Sequence, residues 1–199
     1  MMGKKKSIKV YNKKKEKRLY ERVSDVNDFC RVIAKHKNRV LFSYFENEGG
    51  KRTLKDMTYS DFYQNVLKIA AGLTANGYAK KRIAIIGETA PDWVASYIAV
   101  LATGGVAIPL DKELTIDVIE GFMENAEADA LIYSASFNGK FENAMKAHRT
   151  LKCFIPMSPT QNEKALSPKV VPLGEIKDKG EIAVKKGYVI KSFTIVKVT

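Results

Sequence analysis

The chain lacks most of the residues from which metal centres and catalytic triads are built. Its 199 residues include two cysteines and two histidines. Cys30 and Cys153 stand far apart without the CxxC spacing of a zinc or redox site, which predicts reduced, small core residues in a cytoplasmic protein. His36 and His148 have no carboxylate or cysteine at ligand spacing, which argues against metal and triad roles for both. Long hydrophobic runs are missing as well: no window approaches the ~20 apolar residues that span a bilayer. The start, MMGKKKSIKVYNKKKEKRLYERV, is positive but has no apolar segment behind it, so it does not read as a secretory signal. Gly3 follows a second Met, one place too late for myristoylation.

Acidic residues are few, 22 against 34 lysines and arginines, and the deficit is local. Eight lysines and two arginines lie within residues 1–22 against Glu16 and Glu21, so most of the net charge of +12 belongs to this stretch. Residues 1–23 are therefore expected to form a basic, disordered arm, and residues 24–199 a single domain that is only mildly basic. Clustered lysines favour anionic lipid or RNA by displacing counterions, or else remain a solvated tail. No aromatic-rich nucleic-acid-binding strand or helix-turn-helix spacing backs the RNA reading. With 45% hydrophobic and 28% charged residues, the body has enough apolar mass for a sizeable core.

Local patterns order that body. Ser24 is expected to cap a helix carrying Phe29, Val32 and Ile33 that ends near Asn38. RVLFSYF and KRTLKDM flank ENEGG, a β-hairpin pattern. Thr58 and Asp61 form a capping box for a helix whose apolar positions Phe62, Val66, Ile69, Ala70 and Leu73 share one face, and Gly77 stops it. Ile83–Ile86 is a continuous apolar run, as in a strand covered on both faces. Pro91 opens the next helix, which Trp93, Val94, Tyr97, Ile98, Val100 and Leu101 make apolar nearly all round and hence buried. Val106–Leu110 reads as a strand, then Thr115 caps a helix bearing Val118, Ile119, Phe122, Met123 and Ala126. Strands at Ala130–Tyr133 and Lys152–Pro156 enclose a helical stretch from Phe137 to His148. LGEIKDKGEIAVKKG reads as a short helix, and YVIKSFTIVKVT as a strand with no assignable partner. This alternation predicts an α/β fold: an open, mainly parallel, doubly wound sheet with flanking helices, preceded by a β-hairpin.

A doubly wound sheet invites a nucleotide, but the expected glycines are absent. A dinucleotide fingerprint places them at the first strand-to-helix turn so that backbone approaches the pyrophosphate. Here the turn reads GETAPDW, with Gly87 followed by Glu88, whose charge repels phosphate. Gly104-Gly105 sits at the negative end of its helix, and no GxxxxGK[ST] occurs. The stretch from Arg82 to Asp111 therefore reads as scaffold.

Three segments follow in fixed order: TYSDF at 58–62, GETAPDW at 87–93 and AVLATGGVAIPLD at 99–111. Together they resemble the N-terminal region of AMP-forming acyl-CoA synthetases, in the adenylate-forming superfamily with luciferases and peptide-synthetase adenylation domains. PLDKEL is most similar to the long-chain fatty-acid branch. The resemblance covers residues 24–157 and extends toward 190. It implies a reaction in which a carboxylate attacks the α-phosphate of ATP with Mg²⁺ assistance, and coenzyme A then displaces AMP. It also implies a TSGTTGxPKG-like loop for the phosphates, an acid for Mg²⁺, an aspartate on the ribose and a mobile lysine. No such loop is present: the nearest stretch, Ser134-Ala135-Ser136, is not followed by Gly-Thr-Thr-Gly or Pro-Lys-Gly.

The family positions matched are Thr58, Asp61, Gly77, Glu88, Pro91, Trp93, Gly104, Gly105, Pro109 and Asp111, all read as caps, turns, core or strand exits. Catalytic, cofactor-binding and metal-binding residues are expected to be none. Glu88 and Asp111 alone keep a functional option, because both follow strand C-termini, where open α/β sheets place ligands. The resulting expectation is an N-terminal part of a fatty-acyl-CoA synthetase, truncated before its ATP phosphate loop and inactive alone. ATP, Mg²⁺ and CoA would serve the full-length enzyme, and the rest of the synthetase would be a partner on a separate chain. A truncated piece should also expose apolar surface. The alternatives are a non-catalytic binding or complementing module, a lipid- or RNA-associated protein acting through its arm, and an unrelated nucleotide-binding α/β protein.

Overall fold

A computed structural model describes residues 23–48, 50–148, 150–158, 167 and 169–190. The basic arm and most of the expected terminal strand, residues 191–199, lie outside the described residues.

The elements run α1(Val26–Lys35), β1(Val40–Glu48), β2(Lys51–Thr58), α2(Tyr59–Ala75), β3(Arg82–Ile86), α3(Pro91–Ala102), β4(Val106–Pro109), α4(Ile116–Asn125), β5(Ala130–Tyr133), a 3₁₀ turn (Ala135–Phe137), α5(Glu142–Ala147), β6(Cys153–Pro156) and α6(Leu173–Lys185). β1 and β2 form the antiparallel hairpin, closed between Glu48 and Lys51. The other strands build a parallel sheet in the order β4-β3-β5-β6. Each strand is short and continuously apolar because alternate residues feed two cores. Ile83, Ile85, Ile132 and Ile155 face α1, α2, α3 and α6. Ala84, Ile86, Leu131 and Phe154 face α4 and α5.

α2 is the helix most fully set by local chemistry. The Asp61 N–H donates to Thr58 Oγ1 at 3.1 Å, and the Thr58 N–H donates back to the Asp61 carboxylate at 3.3 Å. Two otherwise orphaned donors are thereby satisfied. Phe62, Val66, Ile69, Ala70 and Leu73 are all buried, as the spacing predicts. Gly77 ends the helix at φ 80°. Cys30 and Cys153 are free and buried, and burial pushes the Cys30 thiol up to about 11, so both behave as inert core residues.

Several expectations are corrected. The cap of α1 is Asp25, not Ser24: the Asp28 N–H donates to Asp25 Oδ1 at 2.8 Å, while Ser24 lends only its N–H to Asp28. α1 stops at Lys35 rather than near Asn38. Thr115 occupies the capping position of α4, yet its side chain makes no capping hydrogen bond. Helical structure between Phe137 and His148 shrinks to six residues of α5, with Gly139 at φ 76° interrupting the run. α6, read as short, is 13 residues long. α3 buries Ala95, Ser96, Ala99 and Val100, whereas Trp93, Val94, Tyr97, Ile98 and Leu101 are only partly buried. Its apolar character exceeds what the neighbouring helices cover. In α4 only Ile119 and Met123 are buried, and Val118 and Phe122 are exposed.

Candidate functional site

The strand order carries a direction. From β3 the chain crosses to β4 over one face, by α3, and then from β4 to β5 over the opposite face, by α4. Between β3 and β5 the outgoing connections therefore diverge, and such a switch point opens a crevice beyond the strands' carboxyl ends. The residues that leave β3 there are Gly87 and Glu88, and those that leave β5 are Ser134, Ala135 and Ser136.

The structure brings these two turns together. Ser134 Oγ donates to Glu88 Oε2 at 2.6 Å, and Ser136 Oγ reaches the same oxygen at 3.1 Å. The two hydroxyls lie 2.9 Å apart. Gly87 is what admits the serine: at φ 139° it occupies backbone that side chains disfavour, and a Cβ there would collide with the Ser134 side chain. The glycine that the sequence offered to a phosphate thus makes room for a side chain. In the sequence alone, Ser134 and Ser136 stand out only as a stretch that fails to form a phosphate loop. Their position directly after a strand, like that of Glu88, is the signal that marks them.

Electrostatics follow from this geometry. Hydrogen bonding by Ser134 holds the Glu88 carboxyl below its usual range, against partial desolvation, and Ser136 and the Lys112 ammonium act in the same sense. An ionised carboxylate with two hydroxyls already committed to it is a weak base and a positioning device. It does not fit a triphosphate, which needs donors and positive charge where Glu88 supplies an anion. Asp111, the other candidate, accepts the Glu113 N–H at 2.9 Å and is exposed. No hydrogen bond joins it to Glu88. Among the described residues no three His, Cys, Asp or Glu side chains are placed to hold a metal ion. His36 lies against the Tyr59 ring, and His148 Nδ1 accepts the Leu151 N–H; neither is hydrogen-bonded to Glu88, Ser134 or Ser136. No described helix is long and apolar enough to cross a membrane.

The depressed Glu88 pKa has a measurable sign. Stability from the ionised form is fully present above the ordinary value of about 4.5 and is lost as the pH falls through the lower folded value. Glu88→Gln is therefore expected to flatten the acid limb of a plot of urea midpoint against pH, between about pH 3 and 6. An unchanged slope would show that the serine contacts do not hold the carboxylate in solution.

A family model described as AMP-binding enzyme matches residues 29–189. A CoA ligase from Gibberella moniliformis (strain M3125 / FGSC 7600) is 25% identical over 151 residues, which are 72% of this chain and 24% of that protein. A long-chain-fatty-acid–CoA ligase from Bacillus subtilis (strain 168) is 32% identical over 79 residues, 39% of this chain and 14% of that protein. Among solved structures, a long-chain-fatty-acid-CoA ligase from Archaeoglobus fulgidus superposes with a TM-score of 0.69 at 14% identity, covering 88% of this chain and 33% of that one. The adenylation–carrier didomain of a carboxylic acid reductase from Segniliparus rugosus gives a TM-score of 0.66 at 16% identity, over 81% of this chain and 27% of that one. The chain spans about a quarter of the Gibberella relative's length. With the family model matched over most of its residues and the parallel sheet in agreement, the chain belongs to the AMP-binding enzyme family.

Proposed function

We propose that this chain supplies the N-terminal α/β framework of an adenylate-forming ligase that activates a carboxylic acid, with long-chain fatty acids as the substrate class and the cytoplasm as its place of action. The whole enzyme would join the acid to the α-phosphate of ATP, releasing pyrophosphate, and pass the acyl group to coenzyme A, releasing AMP. The observation that carries the framework reading is the committed state of the switch point. Glu88 is bonded to Ser134 and Ser136 where the phosphates of a nucleotide would need donors.

ATP, Mg²⁺ and coenzyme A are then handled by segments that bear the Ser/Thr/Gly-rich, lysine-ended loop, which these 199 residues do not contain. Those segments are the partner this reading requires.

ATP–pyrophosphate exchange tests it. The pure 199-residue chain is expected to give none with palmitate, oleate or shorter acids. Exchange is expected to appear when a polypeptide carrying the missing loop is supplied in trans, and to exceed that polypeptide alone. Exchange by the chain by itself would overturn the framework reading.

A further inference from the structure

The amino ends of the parallel strands border a groove on the opposite side of the sheet from the switch point. Lys80 precedes β3 and Thr103 precedes β4, whereas Glu88 and Ser134 follow β3 and β5. The chain reaches this end because α6 stops in a glycine cap. Gly187 sits at φ 95°, its N–H donates to the Val184 carbonyl at 2.9 Å, and the Tyr188 N–H donates to the Ala183 carbonyl at 3.0 Å. That pairing satisfies the last turn and swings the chain off the helix axis. Tyr188 and Val189 thereby form one wall of the groove, against the carboxyl ends of α2 and α3.

The groove encloses about 420 Å³. At the ~30 Å³ that a water molecule takes in the liquid, it has room for about 14 non-hydrogen atoms. Ala79, Ala102, Val189 and the Tyr188 ring give it apolar walls, and no acidic residue lines it. Small-molecule sites have this make-up, apolar walls with a few placed polar groups. The polar groups here are donors. The last carbonyls of the two helices are already spent. Gly72, Leu73 and Thr74 accept from the Asn76, Tyr78 and Gly77 N–H groups, and Val100 and Leu101 from those of Gly105 and Gly104. The Thr103 hydroxyl donates to the Val100 carbonyl at 2.7 Å, and the Thr74 hydroxyl to that of Ala70 at 2.9 Å. Thr74 can therefore only accept from the Tyr188 hydroxyl, which lies 3.4 Å away, too far for a strong O–H···O bond. The Tyr188 proton is left to offer.

Lys80 is the second donor and the groove's one charge. Its backbone is held at φ 60°, with the N–H donating to the Thr103 carbonyl at 3.2 Å. Its side chain is exposed and pairs with no carboxylate among the described residues, unlike that of Lys81, which lies 3.3 Å from Asp129. Two other surface grooves differ. One, between α4 and α5, is lined by Asp117, Glu120 and Glu124 with no lysine or arginine. In the other, between the hairpin, α2 and α6, Lys68 and Lys177 are already held by Glu181 and Asp92.

We propose that the groove beside Lys80 binds a monocarboxylate with an apolar chain of about ten carbons. The carboxylate sits between the Lys80 ammonium and the Tyr188 hydroxyl, and the chain lies along Ala79, Ala102 and Val189. One unpaired cation selects one negative charge, and a second donor beside it serves the second carboxylate oxygen. Such a ligand lies at the other end of the strands from Glu88, so its binding does not depend on the ligase reading.

Decanoate, titrated into the intact chain below its micelle-forming concentration, tests this by calorimetry and by amide chemical shifts. Saturable one-to-one binding is expected, with shifts at Lys80, Thr103, Gly187 and Val189 and none at Gly87 or Ser134. Decan-1-ol and decyltrimethylammonium are expected to bind at least about tenfold more weakly, because neither brings a negative charge to Lys80. Lys80→Gln is expected to weaken decanoate binding about tenfold and Tyr188→Phe about fivefold, while Lys80→Arg keeps most of the affinity. Lys80 lies on an exposed turn, so Lys80→Gln is expected to leave the urea midpoint unchanged. The proposal is overturned by absence of saturable binding, by shifts centred instead on Val118 and Phe122, or by equal binding of the ammonium compound. Tighter binding of decyl phosphate, or a decanoate affinity indifferent to Lys80→Gln, would overturn it as well. None of these results bears on ATP–pyrophosphate exchange, so the ligase reading stands or falls separately.

Discussion

Gly180→Val is expected to lower the free energy of unfolding by about 3 kcal/mol or more, read as a fall in the urea midpoint with the slope unchanged. Gly180 lies on α6 where that helix crosses α2. A Cβ there would run into the Lys68 carbonyl oxygen and would stand 2.9 Å from the Gly72 nitrogen. Gly72 is the reciprocal position, since a Cβ on it would collide with the Ile176 carbonyl. The two helices thus touch backbone to backbone, and backbone has no rotamer to turn aside. Valine would have to push α6 off α2. That movement would also disturb the Lys68–Glu181 pair at 2.8 Å and the Lys177 ammonium held by Asp92 at 2.8 Å, which tie α6 to α2 and to α3. Gly174→Ala, in the open first turn of α6, is the control. It is expected to be neutral or stabilising by up to about 1 kcal/mol, because alanine is the better helix former. Equal effects of the two substitutions would refute the close crossing.

Gly87→Ala is expected to be nearly as severe, at about 2–4 kcal/mol, for two separable reasons. One is the backbone: φ 139° is strained for any residue with a Cβ. The other is the collision with Ser134. Ser134→Gly in the Gly87→Ala background removes the second and leaves the first, so the double variant is expected to recover part of the loss. The two positions touch, so their effects will not add, and a thermodynamic cycle measures the coupling. Full additivity would mean that the serine does not approach the glycine as closely as described. The same variants are expected to raise the Glu88 pKa toward its ordinary value, because the Ser134 hydroxyl is the main cause of its depression.

Gly87 and Gly72 are visible in the sequence, and neither can be understood from it alone. Gly87 read as a deficient phosphate turn, and Gly72 as an unremarked small residue inside a helical run. Ser134 and Ser136 read as a loop that fails to hold phosphate. Their partner, Glu88, stands 46 residues from Ser134 in the chain, and no local pattern spans that separation. Asp111 had the same credentials as Glu88, and the structure leaves it turned to solvent on its own Asx turn.

α4 shows the same boundary from the other side. Helical spacing correctly grouped Val118, Ile119, Phe122 and Met123, but spacing reports a face and not what covers it. Whether that face is covered depends on how far the sheet extends beneath it. With β4 as the last described strand, half of the stripe remains open.

The amino-acid order by itself determined what neighbouring residues settle among themselves: the Thr58–Asp61 cap, the hairpin turn, the apolar strands alternating with helices, and the absence of a phosphate loop. These rest on backbone propensity and short-range hydrogen bonds, which act within a few residues. Only the tertiary structure decided the strand order β4-β3-β5-β6, the seating of Glu88 on Ser134 and Ser136, and the glycine crossing of α2 and α6. Those contacts join residues dozens of positions apart, and they exist only once burial of the two apolar faces of the sheet has drawn distant segments together.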